Sequence, residues 1–311
     1  MPLPLSGSAA ADMGSSASSV RVPWSAGAAA SAAALAFPPR GWTQCRPRKY
    51  ALLIGMNYGH TPGVQNLRGC IADVRNMRRL LTTRCGFEPA NVVTLTDEPV
   101  DGPGGVLGRA PTRDVILSEM TALVAKAAPG DSLFFHFSGH GGQVQDLNGD
   151  ELDMKDEVLV PVDARCIVDD EVHERLVKAL PLGVRMVALI DACHSASALD
   201  LPHVFDAPWC GGRGCGDGCG TAAGCGGDRV IAFGACRDEQ KAADWHGAHG
   251  GTASAGAATT FFVEAVEHNL GGTTCRGVLE HMRKRIAEKN LPQVPALSSS
   301  FPLHPDARLV L

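Results

Sequence analysis

An apolar run that ends in an acid, a cysteine, a histidine and a serine is the part of this chain best suited to covalent chemistry. Val184–Ser197 reads VRMVALIDACHSAS and delivers Asp191, Cys193, His194 and Ser195 just past a strand-length segment. A thiol at neutral pH is a modest nucleophile until a base or a cationic neighbour draws off its proton. The candidate partner lies 53 residues upstream, where the apolar run Ser132–Phe137 gives way to Ser138-Gly139-His140-Gly141-Gly142. Glycines on both sides let a histidine ring approach a reacting atom closely, so His140 can take the proton of Cys193 and return it to a leaving amine. The chemistry is acyl transfer through a thioester, with the backbone N–H groups of Gly141 and Cys193 as candidate oxyanion donors. His136 falls in mid-strand, where alternation sends it into the core as a structural residue. His194 adjoins the nucleophile, but successive side chains point apart, which suits packing or orienting.

Such a pair needs two strand ends held side by side. Tyr50–Met56 is a continuous apolar run, as expected of a strand covered on both faces. Leu67, Cys70, Ile71, Val74, Met77 and Leu81 then recur at helical spacing up to the break at Gly86. Val92–Leu95 predicts a second strand, and a Gly/Pro loop follows over Asp101–Gly108. Thr112 is placed to cap a helix reaching Ala127, with Val115, Ile116, Met120, Leu123, Val124 and Ala127 inward and Pro129-Gly130 as its stop. After an acidic loop from Gln143 to Asp156, Val158–Val162 predicts another strand. A helix with Val172, Leu176, Val177 and Leu180 inward leads into the strand that carries Cys193. Val230–Phe233 resumes the sheet, and helices follow over Ala257–His268 and Thr274–Lys289. This alternation predicts an α/β fold with a mainly parallel central sheet flanked by helices on both faces. In such sheets the working residues gather beyond the carboxyl ends of the strands, where His140 and Cys193 both fall.

Composition narrows the remaining possibilities. A hydrophobic content of 45% over 311 residues is ample for a large core, and a net charge of −5 offers no polycation for nucleic acid or for a membrane surface. Eleven cysteines, an odd count scattered through strands, helices and loops, read as reduced thiols. Residues 1–45 are rich in Ala and Ser without apolar periodicity, which predicts a flexible arm or pro-segment ahead of a catalytic domain at 46–311. Within that domain the reading is a large part at 46–200, a Gly/Cys-rich linker at 201–228 and a small part at 229–311. The run Ala26–Phe37 is too short to span a bilayer and has no basic n-region, so a cytoplasmic location is expected, with an organelle transit peptide in 1–40 as the alternative.

HFSGHGG together with DACHSAS resembles the two catalytic motifs of the metacaspases, caspase-like cysteine proteases of protists, fungi, algae and plants. The likeness continues in Gly69-Cys70-Ile71-Ala72-Asp73, in Gly149-Asp150-Glu151 through Asp163, in Ile167-Val168-Asp169-Asp170, in Arg237-Asp238-Glu239-Gln240 and in Gln293-Val294-Pro295. One departure is Ala196, where the family usually has glycine. The order of large part, short linker and small part resembles type I metacaspases.

The resemblance implies a caspase-like fold, a Cys193–His140 dyad and a monomer. It places Asp73 and Asp191, with Cys70 and Ser138, around the primary substrate pocket. Two carboxylates there imply protein or peptide substrates with Arg or Lys before the cleaved bond, a guanidinium being held bidentately. Six acids crowd Asp146–Glu157, and a hard dication is their simplest neutraliser, although the spacing is not that of an EF-hand. By resemblance the cofactor is calcium, held by Asp156, Asp169 and Asp170 with the Val168 carbonyl. Asp169 and Asp170 also suit the N-cap of the next helix. Exposed basic residues, Arg40, Arg46, Arg48, Lys49, Arg213 and Arg229, are candidate self-cleavage points. The competing readings are a non-proteolytic scaffold of the same fold, for which Ala196 speaks, and a zinc-binding module at Cys210, Cys215, Cys219 and Cys225, whose spacing matches no paired CxxC pattern.

Overall fold

The computed structural model describes residues 46–100, 108–145, 154–205, 229–237, 242, 244–246, 254–268, 272–304 and 306–311. The chain divides into Met1–Cys45, which lies outside the described residues, and the unit Arg46–Leu311. The four linker cysteines from Cys210 to Cys225, Arg213 and the acids from Asp146 to Asp153 also lie outside them.

The elements run β1 (Lys49–Gly55), α1 (Cys70–Thr83), β2 (Val92–Thr96), α2 (Arg113–Ala125), β3 (Ser132–Ser138), β4 (Gly141–Gln145), β5 (Lys155–Leu159), β6 (Ile167–Val168) and α3 (Asp169–Val172). After α3 the helix widens into a π-type turn, His173–Lys178. There follow β7 (Arg185–Asp191), β8 (His203–Phe205), β9 (Arg229–Gly234), β10 (Asp244–His246), β11 (Ser254–Gly256), α4 (Ala257–His268), α5 (Cys275–Glu288) and β12 (Ala296–Ser299). Seven strands form the central sheet in the order β2-β1-β3-β7-β9-β12-β8. The first four pairings are parallel, whereas β12 runs antiparallel to both β9 and β8. The expected fold class is therefore observed.

Period-two alternation explains why the apolar runs read as continuous. Leu52 and Ile54 of β1, Leu133, Phe135 and Phe137 of β3, and Met186, Ala188 and Ile190 of β7 share one buried cluster with Ile116, Met120 and Leu123 of α2. The intervening residues Ala51, Leu53, Phe134, Val187 and Leu189 face the other way, into a cluster with α1, α4 and α5. Both faces are dry, so both sets of positions must be apolar. At Gly86, which follows α1, φ is +75°, a left-handed conformation that glycine takes without strain. Thr274 caps α5 by accepting a hydrogen bond from the Gly277 N–H at 3.0 Å.

Two expectations are corrected. The strand expected at Val158–Val162 begins at Lys155, ends at Leu159 and lies outside the central sheet, in a small antiparallel sheet of order β4-β5-β6. Pro161 has no N–H to carry a ladder on, and the Val160 N–H turns instead to the His140 carbonyl at 3.1 Å. Thr112 occupies the N-cap position of α2 without a side-chain cap bond, and α2 stops two residues short of Ala127.

His136 behaves as the alternation requires. It is wholly buried on the α4 side of the sheet, with Nε2 3.1 Å from the Thr259 hydroxyl, and burial pushes its imidazole down to about 3. The unfolded chain takes up a proton near pH 6.5 that the folded chain refuses until about pH 3. This residue's contribution to stability is therefore complete above pH 6.5 and declines on acidification, by about 1.4 kcal/mol per pH unit. Urea unfolding at pH 7 and pH 5 is expected to show about 2 kcal/mol less stability at the lower pH from this source. His136→Gln should flatten the slope by about one proton, and identical slopes in parent and variant would refute the assignment.

Candidate active site

Strand register brings the reactive residues together. Gly55 of β1 pairs with Ser138 of β3, and Ser138 pairs with Asp191 of β7, so three carboxyl ends finish level. His140 and Cys193 each lie two residues beyond that shared row, on neighbouring strands whose axes are about 4.8 Å apart. Equal overhang on adjacent strands is what brings residues 53 positions apart in sequence to one cavity wall.

Gly139, His140, Gly141, Cys193 and His194 line one cavity of about 380 Å³, together with Gln65, Leu67, Cys70, Ser138, Asp191, Ala242 and Gly256. The His140 Nε2 lies 2.6 Å from the Gln65 carbonyl oxygen. A carbonyl only accepts, so Nε2 carries a proton and Nδ1 is left as the basic nitrogen of the neutral ring. Cys193 Sγ accepts a hydrogen bond from the Ala242 N–H at 3.2 Å, a contact that favours thiolate. Gly141 stacks so tightly on the nucleophile's backbone that an added Cβ would come 2.2 Å from the Cys193 carbonyl oxygen. The Gly139 N–H donates to the Asp191 carbonyl at 3.2 Å, tying the two loops together. Neither Gln65 nor Ala242 carried a signal in the sequence, because each acts through its backbone.

Alternation also sets which way the expected pocket residues face. Ser138 shares its face of β3 with Phe134 and His136, and Asp191 shares its face of β7 with Val187 and Leu189, so both look toward α1 and α4. Cys70, Ser138 and Asp191 line the cavity, while Asp73 stands one layer deeper with no exposed surface. Asp73 Oδ2 accepts the Ser138 hydroxyl at 2.7 Å, and both its oxygens accept the Gly256 N–H at 2.9 Å. Asp191 Oδ2 accepts the Thr259 N–H at 2.7 Å. A Cβ on Gly256 would meet Asp191 Oδ2 at 2.2 Å and Asp73 Oδ2 at 2.7 Å, so glycine is what lets this backbone lie between the two carboxylates. Sequence reasoning missed Gly256 altogether.

The expected calcium ligands lie on and just after the small sheet, Asp156 in β5, Val168 in β6, and Asp169 and Asp170 at the start of α3. Asp156 and Asp169 are buried beside Glu157, whose N–H donates to Asp169 Oδ2 at 3.1 Å. Burial pushes the Asp169 carboxyl up to about 7; the Glu157 and Asp170 N–H groups oppose that rise, and the charges of Glu157 and Asp156 add to it. Buried, mutually repelling carboxylates are the donor type a hard dication takes. Among the described residues, however, no three acids, histidines or cysteines converge on one point. Asp170 gives its N–H to Asp169 Oδ1 at 2.9 Å and lies on the outer surface with Glu171, Glu174 and Arg175. Rather than a side-chain cap from Asp169 or Asp170, the N-cap position of α3 is Val168.

A doubly covered parallel sheet with a cysteine and a histidine at adjacent strand tips defines a caspase-like α/β domain with a thiol–imidazole site. Residues 49–202 match the family model described as the metacaspase, peptidase C14 domain, and over that span the chain belongs to the metacaspases, a family of cysteine peptidases. It is 51% identical over 167 residues to metacaspase-1 of Eremothecium gossypii, a match covering 53% of this chain and 35% of that protein. It is 48% identical over 167 residues to metacaspase-1 of Ajellomyces capsulatus, covering 53% of this chain and 45% of that protein. The match thus spans less than half the length of either relative. Among solved structures, a Geobacter sulfurreducens protein superposes with a TM-score of 0.57 at 22% identity, over 84% of this chain and 98% of its own. Caspase-1 from Spodoptera frugiperda superposes with a TM-score of 0.50 at 12% identity, over 81% of this chain and 86% of its own. Both likenesses concern the fold alone.

Proposed function

We propose that the protein is a cysteine endopeptidase that cuts after Arg or Lys and is activated by calcium. The observation that carries this reading is the single cavity walled by Cys193, His140, Ser138 and Asp191. His140 Nδ1 draws the proton from the thiol, and the thiolate attacks the carbonyl carbon of the scissile amide. The imidazolium then protonates the departing amine, leaving a thioester on Cys193. Water, deprotonated by the same imidazole, hydrolyses the thioester and restores the thiol. The Gln65 carbonyl holds the ring and stabilises its positive charge while it carries both protons. Gly141 lies on the cavity wall beside the Cys193 backbone, and in this reading its N–H serves the developing oxyanion. Asp191 and, behind Ser138, Asp73 supply the negative charge that a guanidinium or ammonium would meet.

Calcium would be held by Asp156, Asp169 and Asp170 with the Val168 carbonyl; its binding would draw these donors together and neutralise the repulsion among the carboxylates. Glu157 links that region to the nucleophile loop, for its Oε2 accepts the Ser197 hydroxyl at 2.6 Å, four residues after Cys193. Self-cleavage belongs to the same reading, but not at Arg48 or Lys49. The Arg48 N–H is held by Asp131 at 2.7 Å, and the ammonium of Lys49 donates to the Cys85 carbonyl at 2.7 Å.

A fluorogenic Arg-peptide amide assayed with and without added calcium tests the whole reading. Hydrolysis is expected to rise at least about tenfold with calcium and to fall back with chelator, and Asp169→Asn should reduce the calcium response by a similar factor. Activity indifferent to chelator would remove calcium from the proposal. No hydrolysis under any condition would favour the scaffold reading.

A further inference from the structure

Tyr58 is bound to His140 through both its hydroxyl and its ring, yet it does not itself line the cavity. It follows β1, is fully buried, and sits at φ +60°, a left-handed conformation uncommon for a bulky residue. That conformation is held from outside the site. The Asp97 carboxylate accepts the Asn57 N–H at 2.9 Å and the Tyr58 N–H at 2.6 Å, and the Tyr58 carbonyl accepts the Thr61 N–H at 3.1 Å.

At its other end the side chain closes a ring of three hydrogen bonds. The Tyr58 hydroxyl donates to the Val160 carbonyl at 2.6 Å and accepts the His140 N–H at 2.8 Å, while the Val160 N–H donates to the His140 carbonyl at 3.1 Å. Burial raises the phenol well above its ordinary value, so its proton stays committed to Val160 and its lone pair to His140. The phenol ring lies against the imidazole, centroids 4.7 Å apart and planes tilted 38°. Gly139 makes the approach feasible, since a Cβ there would come 2.6 Å from the hydroxyl oxygen. A core-filling aromatic needs neither a strained backbone nor a hydroxyl. This one has both, and its hydroxyl and its ring both contact His140.

We propose that Tyr58 is a positioning residue for His140: the hydroxyl fixes the histidine's main chain, and the ring face sets the imidazole's aim toward Cys193. The inference rests on the cysteine–histidine reading of the site, and its test separates the two. Tyr58→Phe keeps the ring and deletes both hydroxyl bonds. Its effect is read in two ways beside the parent and His140→Ala. One is kcat and KM on an Arg-peptide amide; the other is the pH dependence of Cys193 alkylation by iodoacetamide, located by peptide mass spectrometry.

A base displaced by a fraction of an ångström is expected to lower kcat about 10- to 50-fold while KM stays within about threefold. The alkylation profile of the variant should move from the parent's toward that of His140→Ala. If the parent hydrolyses no peptide, the peptidase reading falls, and the alkylation profiles still decide the role of Tyr58. A folded Tyr58→Phe protein whose alkylation profile and kcat both match the parent within twofold would overturn the proposal. Should Tyr58→Phe fail to fold, Asp97→Asn decides instead. It keeps an acceptor oxygen, lies outside the cavity and loosens only the clamp on the Tyr58 backbone, so the same shift, about three- to fivefold in kcat, is expected. No shift would again refute it.

Discussion

Cys193→Ala is expected to lower hydrolysis of an Arg-peptide amide by about 10⁴-fold or more while leaving the melting temperature within about 2 °C of the parent. The loss is large because the thiol and the hydroxyl packed around the nucleophile's turn, Cys236 and Ser195, are engaged elsewhere. Cys236 is buried, its thiol pushed by that burial up to about 12, and its Sγ is engaged with the Ala192 carbonyl at 3.4 Å. The Ser195 hydroxyl is occupied by the Ala235 N–H at 2.8 Å and the Cys236 N–H at 3.3 Å, which closes the turn after the nucleophile. The fold survives because Cys193 is only half-buried and because the loop's own anchors, among them Gly139 to the Asp191 carbonyl, are main-chain contacts. Initial rates together with thermal melts of both proteins check this. Retention of more than about 1% of the parent rate would move the nucleophile elsewhere.

Asp73→Asn should lower kcat/KM for Arg peptides about 100-fold, close to 2.7 kcal/mol of transition-state binding, while a norleucine analogue of the same peptide changes little. The argument starts from charge. Asp73 and Asp191 both lie against Gly256, and among the donors that hold them are the Ser138 hydroxyl and the Gly256 and Thr259 N–H groups. Two ionised carboxylates there would make the pocket floor negative at low dielectric, where an ammonium or guanidinium would gain more than it does in water. Asparagine matches the shape and, with its oxygen at the Oδ2 position, keeps an acceptor for Ser138 and Gly256, so the charge and the second Gly256 bond are what is lost. Steady-state kinetics on the Arg and norleucine pair isolates that term. An unchanged Arg preference would show that Asp73, one layer behind the wall, does not reach the substrate.

What was legible in the sequence is what periodicity and side-chain type encode. The apolar runs gave β1, β3 and β7, their even spacing gave a sheet buried on both faces, and the motifs beyond their ends gave His140 and Cys193. Parity in β3 was enough to assign His136 to the core. The side sheet was harder, because β4 follows His140 without a break and Lys155–Leu159 shows a polar start that hides its buried half. Gln65, Ala242, Val160 and Gly256 were out of reach for a different reason. Each contributes a main-chain N–H or C=O, which every residue but proline possesses in full, so identity says nothing about who supplies it. Tyr58 reads as the last apolar residue after a strand; only its left-handed backbone and its two hydroxyl partners distinguish it from filler.

The strand order has one more consequence. Of the seven neighbours in the sheet, β9 and β12 come after residues 206–228, and they are wedged between β7 and β8, which come before. Helices α4 and α5, also from the later portion, share a buried cluster with α1 from the earlier one. A nick anywhere in 206–228 would thus produce two fragments already interleaved like clasped fingers. Such a pair would travel as one particle, its parting opposed by two full strand interfaces and a helical layer, so severing the backbone there would leave the assembly whole.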